Sequence, residues 1–301
     1  MSAGAAAARV VAPSAAEWPA RLGELGPEPP PTRLFAIGRP LDPIVPAVAV
    51  VGTRRPTGAG LDAAYDLAAG LAEAGWTVIS GLAVGIDAIA HRAALESGGH
   101  TLAVLGCGLD VDYPARNRAL KRRIATEGTI VTEYGPSTRP ARHHFPLRNR
   151  IIAGLALGVV VVEGSVRSGA LVTARLALDA NRSVFAVPGS RRNPMAEGPN
   201  ELIRTARAAL VTEVGHIFED LAPGLVWARG AHAGPAVSCT QAESDIARAL
   251  DDAPLALDHV AGRAGVAPGR AAVLLSQLEV KGVVVKTHAG YALSSARSLR
   301  A

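Results

Sequence analysis

The sequence predicts an α/β protein: an extended Rossmann-like, doubly wound sheet followed by a small C-terminal winged-helix domain. Three observations carry that expectation. Short, wholly apolar segments alternate with amphipathic helical stretches over most of the chain, the pattern of a parallel sheet covered on both faces. Turns rich in glycine and small polar residues follow several of those segments, where open α/β sheets hold ligands. The final stretch reads as three helices and a hairpin, a helix-turn-helix variant with a wing.

Residues 1–45 are Pro-rich, with Pro27–Pro31 reading PEPPP, and are expected to form an extended lead-in with one short helix. Val48–Val51 is the first core strand, followed by a Gly-containing turn and an amphipathic helix from about Gly60 to Ala74. Trp76–Ser80 is the second strand and Gly85–Glu96 the second helix. Thr101–Leu105 is the third strand, Ala115–Ala125 an arginine-rich helix, and Ile130–Thr132 the fourth strand. Gly158–Val162 and Ser183–Val187 are two further strands with a helix between them, a βαβ unit whose carboxyl edge carries backbone N–H groups suited to an anion. This domain is assigned to residues 46–221, a Gly/Ala/Pro-rich linker to 222–238, and the winged helix to 239–301. In the last, Ala242–Leu250 reads as a helix, Asp258 and Ala267-Pro268 mark the starts of the next two, and His288-Ala289-Gly290 lies near the hairpin tip.

Composition narrows the function. With 49% hydrophobic residues in 301, the chain has ample core, and its net charge of +5 mildly favours acidic partners. Lysine occurs only at Lys121, Lys281 and Lys286; the other cations are arginines, which fork onto phosphates and stack on bases. Much of that bias is codon usage towards Ala and Arg. Cys107 and Cys239 form no CxxC pair, so neither a zinc site nor a disulfide framework is expected. The start lacks the charged region of a signal peptide, and no apolar run reaches transmembrane length. A cytoplasmic protein with no membrane partner and no cofactor is expected.

Four segments carry candidate chemistry. Gly52-Thr53-Arg54-Arg55 follows the first core strand but is neither a dinucleotide fingerprint nor a P-loop, since no lysine follows a glycine anywhere. Arg54 stands where ligands bind; Arg55 reads as a solvated loop residue. In Ser80–Asp87 the glycines Gly81 and Gly85 are expected to let the backbone approach a ligand at a helix N-terminus. Asp87 suits that end of the helix dipole. Asp87 and His91 stand at i, i+4, but with no third ligand in view a structural pair is expected rather than a metal site. In Glu163–Thr173, Ser168, the Gly169 backbone and Thr173 are candidate phosphate donors. A serine nucleophile there would lack a base and the nucleophile elbow, and Glu163 is expected to orient the glycine loop.

Arg142-His143-His144-Phe145-Pro146-Leu147-Arg148-Asn149-Arg150 is the sharpest cluster. A loop phenylalanine among arginines suits single-stranded nucleic acid, with bases stacking on the ring at about 1–3 kcal/mol each while cations follow the phosphates. Phe145, Arg142 and Arg148 are assigned to that role. Arg150 suits an internal salt bridge, and the adjacent histidines suit neutral hydrogen bonding.

Taken in order, Gly52-Thr53-Arg54, SGLAVGID from Ser80, LAVLGCGLD from Leu102 with Tyr113-Pro114 and Asn117, FPLRNRIIAGL from Phe145, VRSGALVTA from Val166, VFAVPGS from Val184 and NELI from Asn200 resemble the DNA-processing protein A (DprA/Smf) family. The resemblance runs from about Trp18 to Leu221 and more weakly through the winged helix. It implies an extended Rossmann-like fold that binds single-stranded DNA, a homodimer, and loading of the RecA recombinase onto incoming strands in natural transformation, without catalysis. Carried over, Arg54 and Arg142 are basic contacts and Phe145 the base-stacking ring. Arg148 and Asn149 hold the pocket wall or backbone, and Gly81, Gly85, Ser168, Gly169 and Thr173 line the phosphate track. Departures are Thr53 for a common Ser, Arg142 for a common Lys, and Thr205-Ala206-Arg207-Ala208 for the usual Gly-Ala. The alternative is a Rossmann-like enzyme cleaving a nucleotide N-glycosidic bond; Val187-Pro188-Gly189 lacks that loop's second glycine, and no acid follows before Glu197. In the winged helix, Arg263, Arg270, Lys286 and His288 suit duplex DNA, while its Ala/Leu-rich second helix equally suits a protein contact.

Overall fold

The computed structural model describes residues 8–41, 46–222, 240–250, 254–280, 283–287 and 290–293. Most of the linker assigned from the sequence, Cys239, Lys281 and the hairpin-tip residues His288 and Ala289 lie outside them. The chain divides into two compact units, Met1–Trp227 and Ala228–Ala301.

The first unit is built on nine strands: β1 (Arg9–Val11), β2 (Leu34–Gly38), β3 (Ala47–Val51), β4 (Thr77–Ser80), β5 (Thr101–Val104), β6 (Thr129–Thr132), β7 (Gly158–Val161), β8 (Ser183–Ala186) and β9 (Ala209–Leu210). They lie in the order β1-β2-β6-β5-β4-β3-β7-β8-β9. Every pairing from β6 to β9 is parallel, whereas β2 runs antiparallel to both β1 and β6. From β3 the chain first winds out through β4, β5 and β6, then returns to place β7, β8 and β9 on the other side. The switch between β3 and β7 opens a crevice at the strands' carboxyl ends.

The helices α1 (Gly58–Glu73), α2 (Ile86–Glu96), α3 (Arg118–Glu127), α4 (His144–Leu155), α5 (Gly169–Asp179), α6 (Glu197–Arg204) and α7 (Val214–Leu221) complete the doubly wound fold. Alternation along the strands divides the core into two layers. Ala49, Val51, Val159 and Val161 pack with Ile151 and Ile152 of α4 and Ala174 of α5. Val48, Val50, Val160 and Phe185 pack with Leu67 and Leu71 of α1, Ala90 and Ala94 of α2, and Phe218 of α7.

The Pro-rich lead-in contributes more than an extended arm. Val11, Leu34 and Ala36 are fully buried, and the Arg9 guanidinium is fixed by Glu17 at 2.9 Å and by the Gly38 carbonyl at 3.0 Å. β1 and β2 therefore belong to the sheet, although their apolar runs are short and punctuated by Pro and Gly.

In the second unit, α8 (Gln241–Arg248), α9 (Leu257–Ala264) and α10 (Pro268–Val280) precede a hairpin of β10 (Val284–Thr287) and β11 (Gly290–Leu293). A capping box between Thr240 and Glu243 starts α8, and Gly265 in the left-handed region closes α9. Ala271, Leu274, Leu275 and Leu278 of α10 enter this unit's own core with Ile246 and Val260. The apolar side of α10 is thus consumed internally. Arg270 and Val273 remain exposed, while the Arg263 guanidinium donates to the Ala249 carbonyl at 3.4 Å.

Candidate nucleic-acid interface

A cleft of ≈ 350 Å³ occupies the switch point. Seven residues singled out from the sequence line it together: Arg54 from the loop after β3, Phe145, Arg148 and Asn149 from the first turns of α4, and Ser168, Gly169 and Thr173 from the start of α5. A smaller hollow shares Arg54, Phe145 and Arg148 and adds Gly81, Gly106, Cys107, Tyr113 and Pro114. Gly85 and Arg142 line neither. Arg142 is exposed in the turn just ahead of α4.

Phe145 is half-buried at the mouth. Its ring lies 5.6 Å from that of Tyr113, tilted by 35°, and the exposed Arg54 guanidinium stands 5.6 Å from its centroid. The ring thus has an aromatic neighbour and a cation over it at the surface, a pairing of side chains suited to bases and their phosphates. The sequence alone assigns Tyr113 no role, although the Tyr113-Pro114 pair and Asn117 stand in the motif that carries the resemblance. Asn117 donates to the Leu82 and Ala83 carbonyls at 2.9 and 3.1 Å, which ties down the loop after β4.

Arg148 has a different part from its exposed neighbours. It is 5% exposed, and its guanidinium donates to the carbonyls of Gly81 and Val104 and, at 3.2 Å, to Asn149 Oδ1. It forms the cleft wall from beneath. Gly81 is glycine because a Cβ there would lie 2.5 Å from the Arg148 guanidinium. Gly85, at φ 88°, would drive a Cβ to 2.4 Å from the Thr53 carbonyl oxygen and 2.9 Å from the Arg54 backbone. Both glycines let other parts of the protein approach closely, Gly81 while lining the smaller hollow, and Gly85 seats the loop that carries Arg54.

The start of α2 is likewise filled from within. Asp87 accepts from the Gly81 and Ala83 amides at 3.1 and 3.3 Å. Burial pushes its carboxyl up, against the pull of Arg148 and those amides. His91 does not pair with Asp87; it bonds Thr101 Oγ1 at 2.7 Å. The helix start left open to the cleft is that of α5, where Ser168, Gly169 and Ala170 line the wall and leading N–H groups lack helical acceptors. Ser168 Oγ is shielded and has no hydrogen-bond partner among the described residues. Thr173 donates to the Gly169 carbonyl at 3.1 Å, and Asn149 donates to the same oxygen at 3.3 Å.

Glu163, 5% exposed, latches three loops. It accepts from the Thr57 amide at 2.9 Å, the Thr57 hydroxyl at 2.7 Å and Asn193 Nδ2 at 2.8 Å. Arg150 pairs with Glu133 at 2.6 Å beneath α4, the internal bridge expected of it. On the rim, Arg54, Arg55, Arg142 and Arg167 are exposed and form no ion pair among the described residues. No helix among the described residues is long and apolar enough to cross a membrane.

Residues 9–222 match the family model for DNA recombination-mediator protein A, and residues 231–290 match the DprA winged helix domain. Protein Smf of Synechocystis is 36% identical over 90% of this chain and 76% of its own length. The X-ray structure of DprA from Streptococcus pneumoniae superposes with a TM-score of 0.67 at 41% identity, covering 71% of this chain and 74% of that one. DprA from Helicobacter pylori, whose structure describes a single-stranded DNA binding mode, gives 0.63 at 29% identity, covering 71% and 95%.

Proposed function

This chain belongs to the DNA recombination-mediator protein A family, the DprA/Smf proteins, and we propose that it binds single-stranded DNA along the carboxyl edge of its sheet. The observation that carries the reading is the Phe145 ring, with Tyr113 beside it and the Arg54 guanidinium over it, at the mouth of a cleft whose far wall is the open start of α5. Bases stack on the ring, Arg54 and Arg142 neutralise phosphates, and the amides at the start of α5, which Ser168 opens, receive the next one. Arg148, Asn149, Gly81, Gly85 and Thr173 shape the cleft and its loops. Binding proceeds without turnover: the carboxylates of Asp87 and Glu163 are engaged by backbone and side-chain donors, and Ser168 has no histidine partner. By family, the bound strand is protected and passed to the RecA recombinase during transformation, and the protein acts as a homodimer.

Fluorescence anisotropy with a labelled single strand tests the site. Arg54→Ala combined with Phe145→Ala is expected to weaken binding by at least about tenfold, one stacked base being worth about 1–3 kcal/mol. Phe145→Trp should keep most of the affinity. Undiminished binding by the double variant would overturn the assignment.

A further inference from the structure

The open space does not end at Phe145. Arg54, Ala83, Phe145 and Arg148 line both the cleft and the smaller hollow, so it runs on from the β3–β7 switch across the carboxyl ends of β4 and β5. Beyond the hollow, the loops after β5 and β6 are joined into one surface. The Asp110 carboxylate accepts from the Ser137 amide at 2.8 and 2.9 Å and from its hydroxyl at 3.1 Å, and the Gly108 amide donates to the Thr138 carbonyl at 2.9 Å. His144 ties both loops to the start of α4. Its ring stacks on Tyr134 with centroids 4.1 Å apart, and its Nδ1 donates to the Gly106 carbonyl at 3.1 Å. Rings therefore recur along this surface: Tyr113 against Phe145, then Tyr134, His144 and His143, the last 4.5 Å from its neighbour and exposed. Arg116, Arg139 and Arg142 stand exposed in the same segments. Among the described residues, none of these arginines has an ion pair. The acids of the two loops are engaged: Asp112 pairs with Arg118 at 2.7 Å, Glu133 with Arg150 at 2.6 Å, and Asp110 is held by Ser137.

We propose that a bound single strand leaves the cleft over Phe145 towards β5 and β6 and continues along these joined loops, where Arg116 and Arg139 hold phosphates and the His143 ring takes a base. The proposal rests on the DNA-binding reading of the cleft and extends it to a further stretch of the same strand. Guanidinium forks suit phosphate oxygens. Rings interleaved with cations suit unpaired bases, whereas a duplex hides its base faces and would use the cations alone. Arg116, Arg139 and His143 line neither the cleft nor the hollow, so a strand short enough to stay within them does not need these residues.

The test measures anisotropy on the full chain with single strands of about four and about twenty nucleotides, which bracket typical site sizes, and with a duplex as long as the longer strand. Arg116→Ala plus Arg139→Ala is expected to leave the short strand unchanged and to weaken the long one about tenfold. Its salt slope should become shallower by about 1.4, two phosphate contacts at about 0.7 each. His143→Ala should weaken the long strand at least about fivefold, the lower end for one stacked base, and His143→Phe should restore it. Unchanged long-strand binding by the arginine variant, or equal loss on both lengths, overturns the path while leaving the cleft reading intact. Equal loss on the duplex and the long strand, or His143→Phe no better than His143→Ala, overturns it in favour of a merely electrostatic surface. Failure of the unmutated chain to bind either strand overturns the cleft reading itself. All three side chains are exposed, and thermal melts of the variants confirm that the fold is kept.

Discussion

At Arg148 a cation only 5% exposed holds the carbonyls of Gly81 and Val104 from below, with the buried Asp87 as nearby negative charge. Arg54, by contrast, is exposed and makes its contact through the Phe145 ring. Two arginines lining one cleft thus have separable signatures. Removing Arg148 leaves the Gly81 and Val104 carbonyls without their buried donor, each costing about 1–3 kcal/mol, and takes away the cation nearest the buried Asp87. Arg148→Met should lower the urea midpoint sharply. Its DNA binding, measured where it remains folded, should keep the salt slope of the unmutated protein, because no phosphate contact has gone. Arg54→Ala should do the reverse, leaving the midpoint within about 0.5 kcal/mol and making the slope shallower by about 0.7. A shallower slope in Arg148→Met would return that residue to the DNA-contacting set.

The loops after β3, β7 and β8 meet at one carboxylate. Glu163 accepts two bonds from Thr57, which itself caps α1 by accepting from the Gly60 amide at 3.1 Å, and a third from Asn193. Gly60 is required there, since a Cβ would fall 2.5 Å from the Glu163 carboxyl. Glu163→Ala removes three hydrogen bonds at the half-buried junction of the loops, each worth about 0.5–1.5 kcal/mol. It should lower the denaturation midpoint and weaken DNA binding several-fold without touching DNA, and Glu163→Gln should recover part of both. Equal affinity for Glu163→Ala and the unmutated protein would show that the loops hold their positions without the latch. The sequence made the strands of the parallel sheet and the turns after them legible, because β-branched runs and glycines mark them locally. Glu163 was legible as a loop-orienting residue, but Thr57 and Asn193 were not, lying 106 and 30 residues from it. The structural use of Gly81 and Gly85 was hidden for the same reason: their close neighbours, Arg148 and the Thr53–Arg54 backbone, arrive from elsewhere in the fold. β1 and β2 are not legible in the sequence because strands this short gain their identity from pairing rather than from pattern.

Across the sheet domain, two histidines make stability depend on pH in a predictable sense. Thr101 donates its one proton to the Val78 carbonyl at 2.7 Å, so His91 must donate to Thr101 Oγ1 through Nδ1, which leaves Nε2 buried and unprotonated. Thr129 similarly donates to the Arg39 carbonyl at 2.9 Å, so His100 donates to it through Nε2 and accepts from Thr77 at Nδ1. Both rings are built into the fold as neutral imidazoles. Burial, with Arg148 beside one and Arg39 beside the other, lowers His91 to about 3 and His100 to about 4. A folded value below the unfolded one means that the unfolded chain binds the extra proton first. The stabilisation is complete above the unfolded value near 6.5 and is lost as pH falls towards the folded values. Asp87 works in the opposite sense, since its raised carboxyl contributes stability that fades as pH rises through its folded value. Between pH 6.5 and 5 the His91 contribution alone amounts to about 2 kcal/mol. Urea midpoints should therefore fall from pH 7 to pH 5, and the fall should shrink by about that amount in His91→Gln, whose amide does not titrate. An equal fall in His91→Gln and the unmutated chain would mean that His91 gains its proton in the folded state as readily as in the unfolded one, and the Nδ1–H assignment would have to be abandoned.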